Sequence, residues 1–541
     1  MKSNIFSGIV VAIISLPLSM ALAIAINVPP ENGIYTAIIA GIMTALFGSS
    51  KVNISGPTAA FVVILIPIVQ EFGLQGLLIC GILAGIIQVF MGIFRLGTLI
   101  ELVPYPITVG FTSGIAVVIA SFQLKDFLGL KIENFSGSFI EKVTMIYNSI
   151  GSFKIEEFLV GISTIAIVIY WQRLNTKIPA TLVSLLLITT FVYLSNYSEF
   201  TDISTIKSTF SFNIQGIAGE GIPPVPLQFI NPWNNFDFSL DLFYKLIPHA
   251  IAIAILGALE SLLCAVISDG MIKKRTNPNK ELIGQGLTNL VIPFFAGIPA
   301  TAAIARTVVN IKSGATNQIS SIVNSIFIFI AVLLIAPLLS FLPMASLSGL
   351  LLIVAWNMSE FKHFINIIKI APKHDVYILL TCFILTILID MQIAIAVGMI
   401  LASLLFIKRT IDLYTIKLIT ENHDDYCDLP SDVCIYDING PMFFGAAQNA
   451  LKTILTTENK YKTIIINMEN VHLLDMTAMV ALKSILDTFK ENNTTLIISG
   501  LENRMKNKLY KIGFHEEKNI LEFHMTIKDS LSHINYTKKN T

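Results

Sequence analysis

At 541 residues the chain is too long for one soluble domain. Its residues are 54% hydrophobic and 13% charged with a mean hydropathy of +0.72, the composition of a polytopic α-helical membrane protein, which excludes a soluble enzyme. A formal net charge of +0 offers nothing to nucleic acid. The five cysteines, at positions 80, 264, 382, 427 and 434, lack metal-ligand spacing and read as free thiols.

Residues 8–27 are predicted to be the first span, with no cleavage site that would make them a removed signal peptide. Ser15, Pro17 and Ser19 interrupt it. Pro17 frees a backbone carbonyl that lipid cannot satisfy, so this face either looks toward protein and water or marks a simple kink. Leu18, Ser19 and Leu22, with Cys264 farther along the chain, are candidate pocket-lining residues. Pro29-Pro30 separates this span from the second, 31–48. In the segment 51–61, Val52 to Ser55 alternate like a strand, Gly56 allows a sharp change of direction, and Pro57 suits the first position of a helix. A helix starting there, inside the membrane, presents the amides of Thr58, Ala59 and Ala60 at its positive dipole end, which can hold an anion without a cationic side chain.

Further spans are expected at 72–93, 107–122, 158–171 and 178–194, with 95–104 as an interfacial connector. Segments 125–157 and 195–242 read as loops with at most an amphipathic turn. They carry no metal cluster and no nucleophile with its base, and no motif calls for a cofactor.

The stretch 250–311 places two charges among apolar residues. Glu260 lies in Gly257-Ala258-Leu259-Glu260-Ser261-Leu262-Leu263, and Arg306 follows Gly297, Pro299 and a backbone too broken for one continuous helix. A charge near the bilayer centre costs roughly 2.5–3.5 kcal/mol on insertion scales, so such groups usually face a cavity and mark a transport pathway; the plainer reading is an ion pair inside the bundle. Spans are expected at 249–266, 282–295, 297–311, 319–339, 341–355, 376–389 and 392–407, making fourteen. With the N-terminus inside, even crossings return the chain at Lys273-Lys274-Arg275, Lys312, residues 362–373 and Lys408-Arg409, as the positive-inside rule requires, and both termini are cytoplasmic. Fourteen divides into seven and seven with the second half inverted. The half-helices of spans three and ten then meet near the midplane, and the amides of Ile304 and Ala305 with the Arg306 side chain complete the anion site begun by Pro57, Thr58, Ala59 and Ala60.

Past Lys408-Arg409 the texture changes, which gives a transport domain over 1–410, a linker over 411–429 and a tail domain over 430–541. In the tail, 433–438, 463–467 and 495–499 read as strands and 476–490 as an amphipathic helix capped by Asp475 or Thr477, a small α/β domain.

Several motifs together carry a family resemblance: Leu16-Pro17-Leu18-Ser19-Met20-Ala21, Ser55-Gly56-Pro57-Thr58, Gly257-Ala258-Leu259-Glu260-Ser261, Gly284-Gln285-Gly286-Leu287-Thr288-Asn289, and Arg306-Thr307-Val308-Val309-Asn310. In this order they resemble the SulP family of anion permeases. The resemblance implies seven-plus-seven inverted repeats, a gate domain moving against a core domain, an anion held between spans three and ten, and a cytoplasmic STAS domain at the C-terminus. In regulatory STAS proteins the helix start near Thr477 carries a phosphorylated hydroxyl, whereas here capping is the plainer role. Sodium-bicarbonate members place hydroxyl residues near the span-eight carboxylate and at the start of the span-ten helix; this chain has Cys264 and Ile304 there, which disfavours sodium coordination. Glu260 resembles the proton-coupled bacterial members. The expectation is a secondary active anion transporter (sulfate-, bicarbonate- or dicarboxylate-like) of the bacterial inner membrane, a homodimer coupled to H+ through Glu260, with a possible regulatory partner for the STAS domain. The alternatives are an anion channel or exchanger of the same fold, sodium-coupled bicarbonate uptake, a nucleobase permease and a membrane receptor.

Overall fold

The computed structural model describes all residues apart from 99–102, 133–134, 175–177, 215–216, 225–226, 235–239, 413, 421–428, 444, 456–459 and 540–541. The chain divides into two compact units, Met1–Ile400 and Leu401–Thr541. The first begins with α1 (Lys2–Ala25), α2 (Pro30–Phe47), a two-residue strand β1 (Ser55–Gly56), α3 (Ala59–Ile93), α4 (Tyr105–Phe127), α5 (Phe139–Asn148), α6 (Ile155–Arg173) and α7 (Ala180–Tyr197). A short turn α8 (Ile206–Thr209) and a hairpin of β2 (Ser211–Ile214) and β3 (Ile217–Glu220) follow. Next come α9 (Leu240–Ile272), α10 (Pro278–Val291), β4 (Thr301–Ala302), α11 (Ile304–Lys312), α12 (Ile319–Leu339), α13 (Met344–Met358), α14 (Phe361–Ile370), α15 (Lys373–Leu388) and α16 (Met391–Asp412).

Among the described residues nine helices are long and apolar enough to cross a membrane. α3 is not one straight rod. Gly73 has φ 67 and ψ −172, a backbone that breaks the helix between the segments expected as spans three and four. At nine residues α11 is about 13 Å long, well short of a hydrocarbon core of about 30 Å, so it reaches only part of the way across. α1 runs through Pro17 as one helix, with the Ser15 and Ser19 hydroxyls buried and without partners among the described residues. The segment 125–157, expected as loop, contains the amphipathic ten-residue α5. Its start is fixed by a capping box in which Ser138 accepts from the Glu141 amide and Glu141 accepts from the Ser138 amide.

The helices pack in two groups. One contains α1, α2, α3, α9, α10, α11 and α12; the other contains α4, α6, α7, α13, α14 and α15. They meet mainly where α1 packs on α13 and α3 on α4. The fold is thus a helical membrane bundle carrying two short strands within its first group.

The second unit holds a five-stranded sheet in sequence order, β5 (Thr415–Ile419), β6 (Val433–Asn439), β7 (Thr463–Asn470), β8 (Thr495–Ser499) and β9 (Leu521–His524), with β5 antiparallel and the rest parallel. Strand alternation sends Tyr436, Ile464, Ile466 and Ile498 to one core and Ile435, Ile465 and Ile497 to the other. The first core lies under α17 (Gly445–Leu455), α18 (Met476–Glu491) and α19 (Asn503–Lys511), and the second under α20 (Ile527–Lys539). The expected linker at 411–429 is only partly one, since Thr415–Ile419 adds an edge strand to the sheet. Asp475 caps α18 by accepting from the Ala478 amide at 2.8 Å. Cys80, Cys264, Cys382 and Cys434 are free thiols, while Cys427 lies outside the described residues.

Candidate functional site: two crossing half-helices

β1 and β4 pair antiparallel, with Ser55 opposite Ala302 and Gly56 opposite Thr301. Two segments some 245 residues apart in sequence therefore cross, and α3 and α11 start from that crossing. Neither start has a side-chain cap: Ala303 has no polar group to offer, and the Thr58 hydroxyl is used elsewhere. The first amides of both helices thus lack side-chain acceptors, and their dipole ends favour an anion.

Arg306 is only 3% exposed. Its Nη2 donates to the Pro57 carbonyl at 2.7 Å, while Nε and Nη1 have no partner among the described residues. The guanidinium lies over Gly56, where an added Cβ would stand 2.7 Å from Nη1. Glycine is needed for that close approach. On the other side, the Thr58 hydroxyl donates to Glu260 Oε2 at 2.9 Å. Among the described residues no ion pair joins Glu260 to Arg306, so the buried guanidinium edge is not neutralised by the nearby carboxylate.

A cleft of about 690 Å³ reaches this region; Glu260 and Ile304 lie along it with Tyr105, Thr108 and Thr112 of α4, and Asp269, Arg275 and Thr276 lie along its wall toward the α9–α10 connection. It runs between the two helix groups. Of the predicted anion-site residues only Ile304 lines it; Pro57, Ala59, Ala60 and Arg306 are buried, Thr58 is half-buried, and Ala305 is exposed. Leu18, Ser19, Leu22 and Cys264 do not line this cleft: Leu22 and Ser19 are buried, Leu18 is half-buried, and Cys264 points its Sγ at Thr307 Oγ1 and Asn53 Oδ1. The α4 hydroxyls carry no motif, and only the fold brings them opposite Glu260.

Non-helical backbone at membrane depth survives only if the protein satisfies it. The Ala300 amide donates to Asn289 Oδ1 at 2.8 Å, and the Ala300 carbonyl accepts from Gln285 at 2.7 Å and Asn289 at 3.0 Å. The Ile54 amide donates to Thr307, and the Val52 carbonyl accepts from Asn310. Ser261 and Thr301 hydroxyls pair at 2.8 Å. Glu281 Oε2 accepts from the Ser49 and Ser50 amides at 2.6 and 2.8 Å, anchoring the approach to β1. The sequence motifs contained Gln285, Asn289, Thr307 and Asn310 without revealing this role.

The profile of the sulfate permease family matches residues 1–382, and that of the STAS domain matches 427–530. The chain is 40% identical over 523 residues to YvdB of Bacillus subtilis, whose name assigns it provisionally to sulfate transport, covering 95% of this chain and 94% of that protein. It is 27% identical over 533 residues to the bicarbonate transporter BicA of Picosynechococcus, with 94% and 90% covered. The solved transmembrane domain of a cyanobacterial BicA superposes with a TM-score of 0.62 at 27% identity, over 73% of this chain and 97% of that one. SLC26A9 shares the fold at 16% identity, with a TM-score of 0.82 over 99% of this chain and 90% of that one.

Proposed function

Since this chain belongs to the sulfate permease family, we propose that it is a carrier that moves a small oxyanion, with sulfate the first candidate and bicarbonate the second, together with a proton. That it is an integral membrane anion transporter follows from the family; the substrate, the coupling and the mechanism are our reading.

The single observation that supports the site is Arg306, buried beside two uncapped helix starts with two of its nitrogens unpartnered. A bound anion would accept from those nitrogens and from the amides of Thr58, Ala59, Ala60, Ile304 and Ala305, replacing part of the hydration it loses. Proton coupling rests on Glu260, which lies on the cleft and accepts from Thr58, the residue that starts α3. An anion held at Thr58 and Arg306 would favour a protonated Glu260, and by reciprocity a protonated Glu260 would favour the anion. Cys264 and Ile304 offer no hard oxygen ligands, which argues against sodium.

Alternating access fits the position of the cleft, between α9 and α11 of one helix group and α4 of the other. In this account the chain crosses the membrane fourteen times, with α3 supplying two crossings either side of Gly73, and both termini and the basic α9–α10 connection lie inside. The STAS domain then sits in the cytoplasm of a homodimer in the bacterial inner membrane, outside the pathway; it supports assembly or responds to a regulatory partner, and Thr477, in the first turn of the helix that Asp475 caps, carries no phosphate. The test is uptake by purified protein in liposomes, with labelled sulfate and bicarbonate under imposed pH or sodium gradients. Sulfate accumulation driven by an acidic exterior supports the reading; accumulation of bicarbonate driven by sodium alone replaces it.

A further inference from the structure

The second unit brings together a ligand set that the cysteine and motif survey of the sequence did not reveal. Glu522 and His524 lie two residues apart on β9 and so point to the same face of the sheet, and α20 brings His533 over them. Glu522 Oε2 stands 3.3 Å from His524 Nε2 and 3.2 Å from His533 Nδ1. The three ligand atoms all lie within 4.8 Å of one another.

We propose that Glu522, His524 and His533 bind one divalent transition-metal ion, with Zn2+ the best match, as a three-ligand site whose fourth position is left to water. Ligand atoms about 2.0–2.1 Å from a tetrahedral zinc ion stand about 3.3–3.4 Å from one another. Two edges of that triangle are already at this length. The third closes by at most about 1.4 Å, within reach of a side-chain rotation of His533, which is 43% exposed. Two imidazoles and one carboxylate suit Zn2+ and its neighbours, whereas Mg2+ and Ca2+ prefer oxygen alone. The Glu522 and His524 side chains are 19% and 18% exposed, enough for an ion to enter from solvent while the site stays partly desolvated.

A metal here would do mechanical work. β9 is an edge strand, and α20 covers the second apolar core through Ile527, Leu531 and Ile534. A bond from His533 to the ion would staple α20 to β9, so that metal availability would set how firmly the C-terminal helix is held. The competing account of the same geometry is a carboxylate hydrogen-bonded to two imidazoles with no ion, and it predicts no metal affinity.

The experiment uses the untagged full-length protein in detergent, stripped with chelator and titrated with Zn2+ alone against a chromogenic competitor, then with Co2+ as a spectroscopic substitute. One equivalent of Zn2+ per chain should bind with a Kd at or below about 1 μM, and Co2+ should give visible bands of a nitrogen and oxygen site without thiolate charge transfer. His524→Ala, His533→Ala and Glu522→Gln should each weaken binding by at least about tenfold, comparable with or beyond the effect of losing an outer-shell partner. Because His533 is partly exposed, its variant is expected to fold, and an unchanged far-ultraviolet circular dichroism spectrum of the metal-free protein checks that it has. The proposal is overturned by no stoichiometric Zn2+ binding, by affinity unchanged in all three variants, or by a Co2+ spectrum dominated by thiolate.

Discussion

Arg306 Nη2 and the Pro57 carbonyl oxygen, 2.7 Å apart, tie the start of α11 to the start of α3 across the crossing of β1 and β4. One donor of the guanidinium holds the scaffold, while Nε and Nη1 have no partner among the described residues and are the donors proposed for the anion. Arg306→Ala should therefore weaken anion binding by about 1.5–3 kcal/mol, the worth of a hydrogen bond to a charged group, or roughly 10- to 150-fold in Kd. Calorimetric titration of the purified variant checks this. An unchanged affinity removes Arg306 from the site.

Gly56 tests the same contact from below. In Gly56→Ala the new methyl would meet Arg306 Nη1 at 2.7 Å, too close for both to stay. The guanidinium is buried and cannot swing freely, so uptake should fall at least about tenfold while the protein still inserts and purifies as a folded species. Wild-type uptake in this variant would mean that the position of Arg306 does not matter for transport.

The polar frame around β4 should govern stability instead. Asn289 accepts from the Ala300 amide and donates to both the Ala300 carbonyl and Gln88 Oε1. Asn289→Leu keeps similar bulk but leaves the buried amide and Gln88 without those partners, at about 1–3 kcal/mol for each group left unsatisfied. A lower Tm by scanning fluorimetry is the expected outcome, and an unaltered Tm would show that other groups satisfy this backbone.

The places where backbone breaks were legible in the sequence, because Gly56-Pro57 and the run from Gly297 to Ala303 interrupt apolar segments that lipid would otherwise require to be helical. Their antiparallel register was not, since nothing local relates Ser55 to Ala302. The charges Glu260 and Arg306 stood out by their cost in an apolar run. The Thr58 bond to Glu260 did not, because a threonine in a span is ordinary until the fold carries it across 202 positions. Thr108 and Thr112 of α4 were invisible for the same reason. In the tail, β5 was absorbed into a linker because five residues of edge strand carry a weak alternation that only pairing with β6 makes meaningful.

The STAS domain should matter for amount and speed, not for choice of anion. Among the described residues its two apolar cores are built from its own sheet and helices. Removing residues 413–541 should lower yield or transport rate and leave the order of preference among anions intact in competition assays. A reordered preference would place the domain in the pathway.

The central claim is that Glu260 couples the proton to the anion, and Glu260→Gln in liposomes tests it most directly. Glutamine keeps an oxygen that can accept from Thr58 and mimics the protonated carboxyl, so labelled-for-unlabelled sulfate exchange should continue in the variant. Accumulation against a gradient, when only a pH difference is imposed, should be present in the wild type and absent in Glu260→Gln. A variant that still concentrates sulfate under that pH difference would contradict the account and assign the proton to another residue.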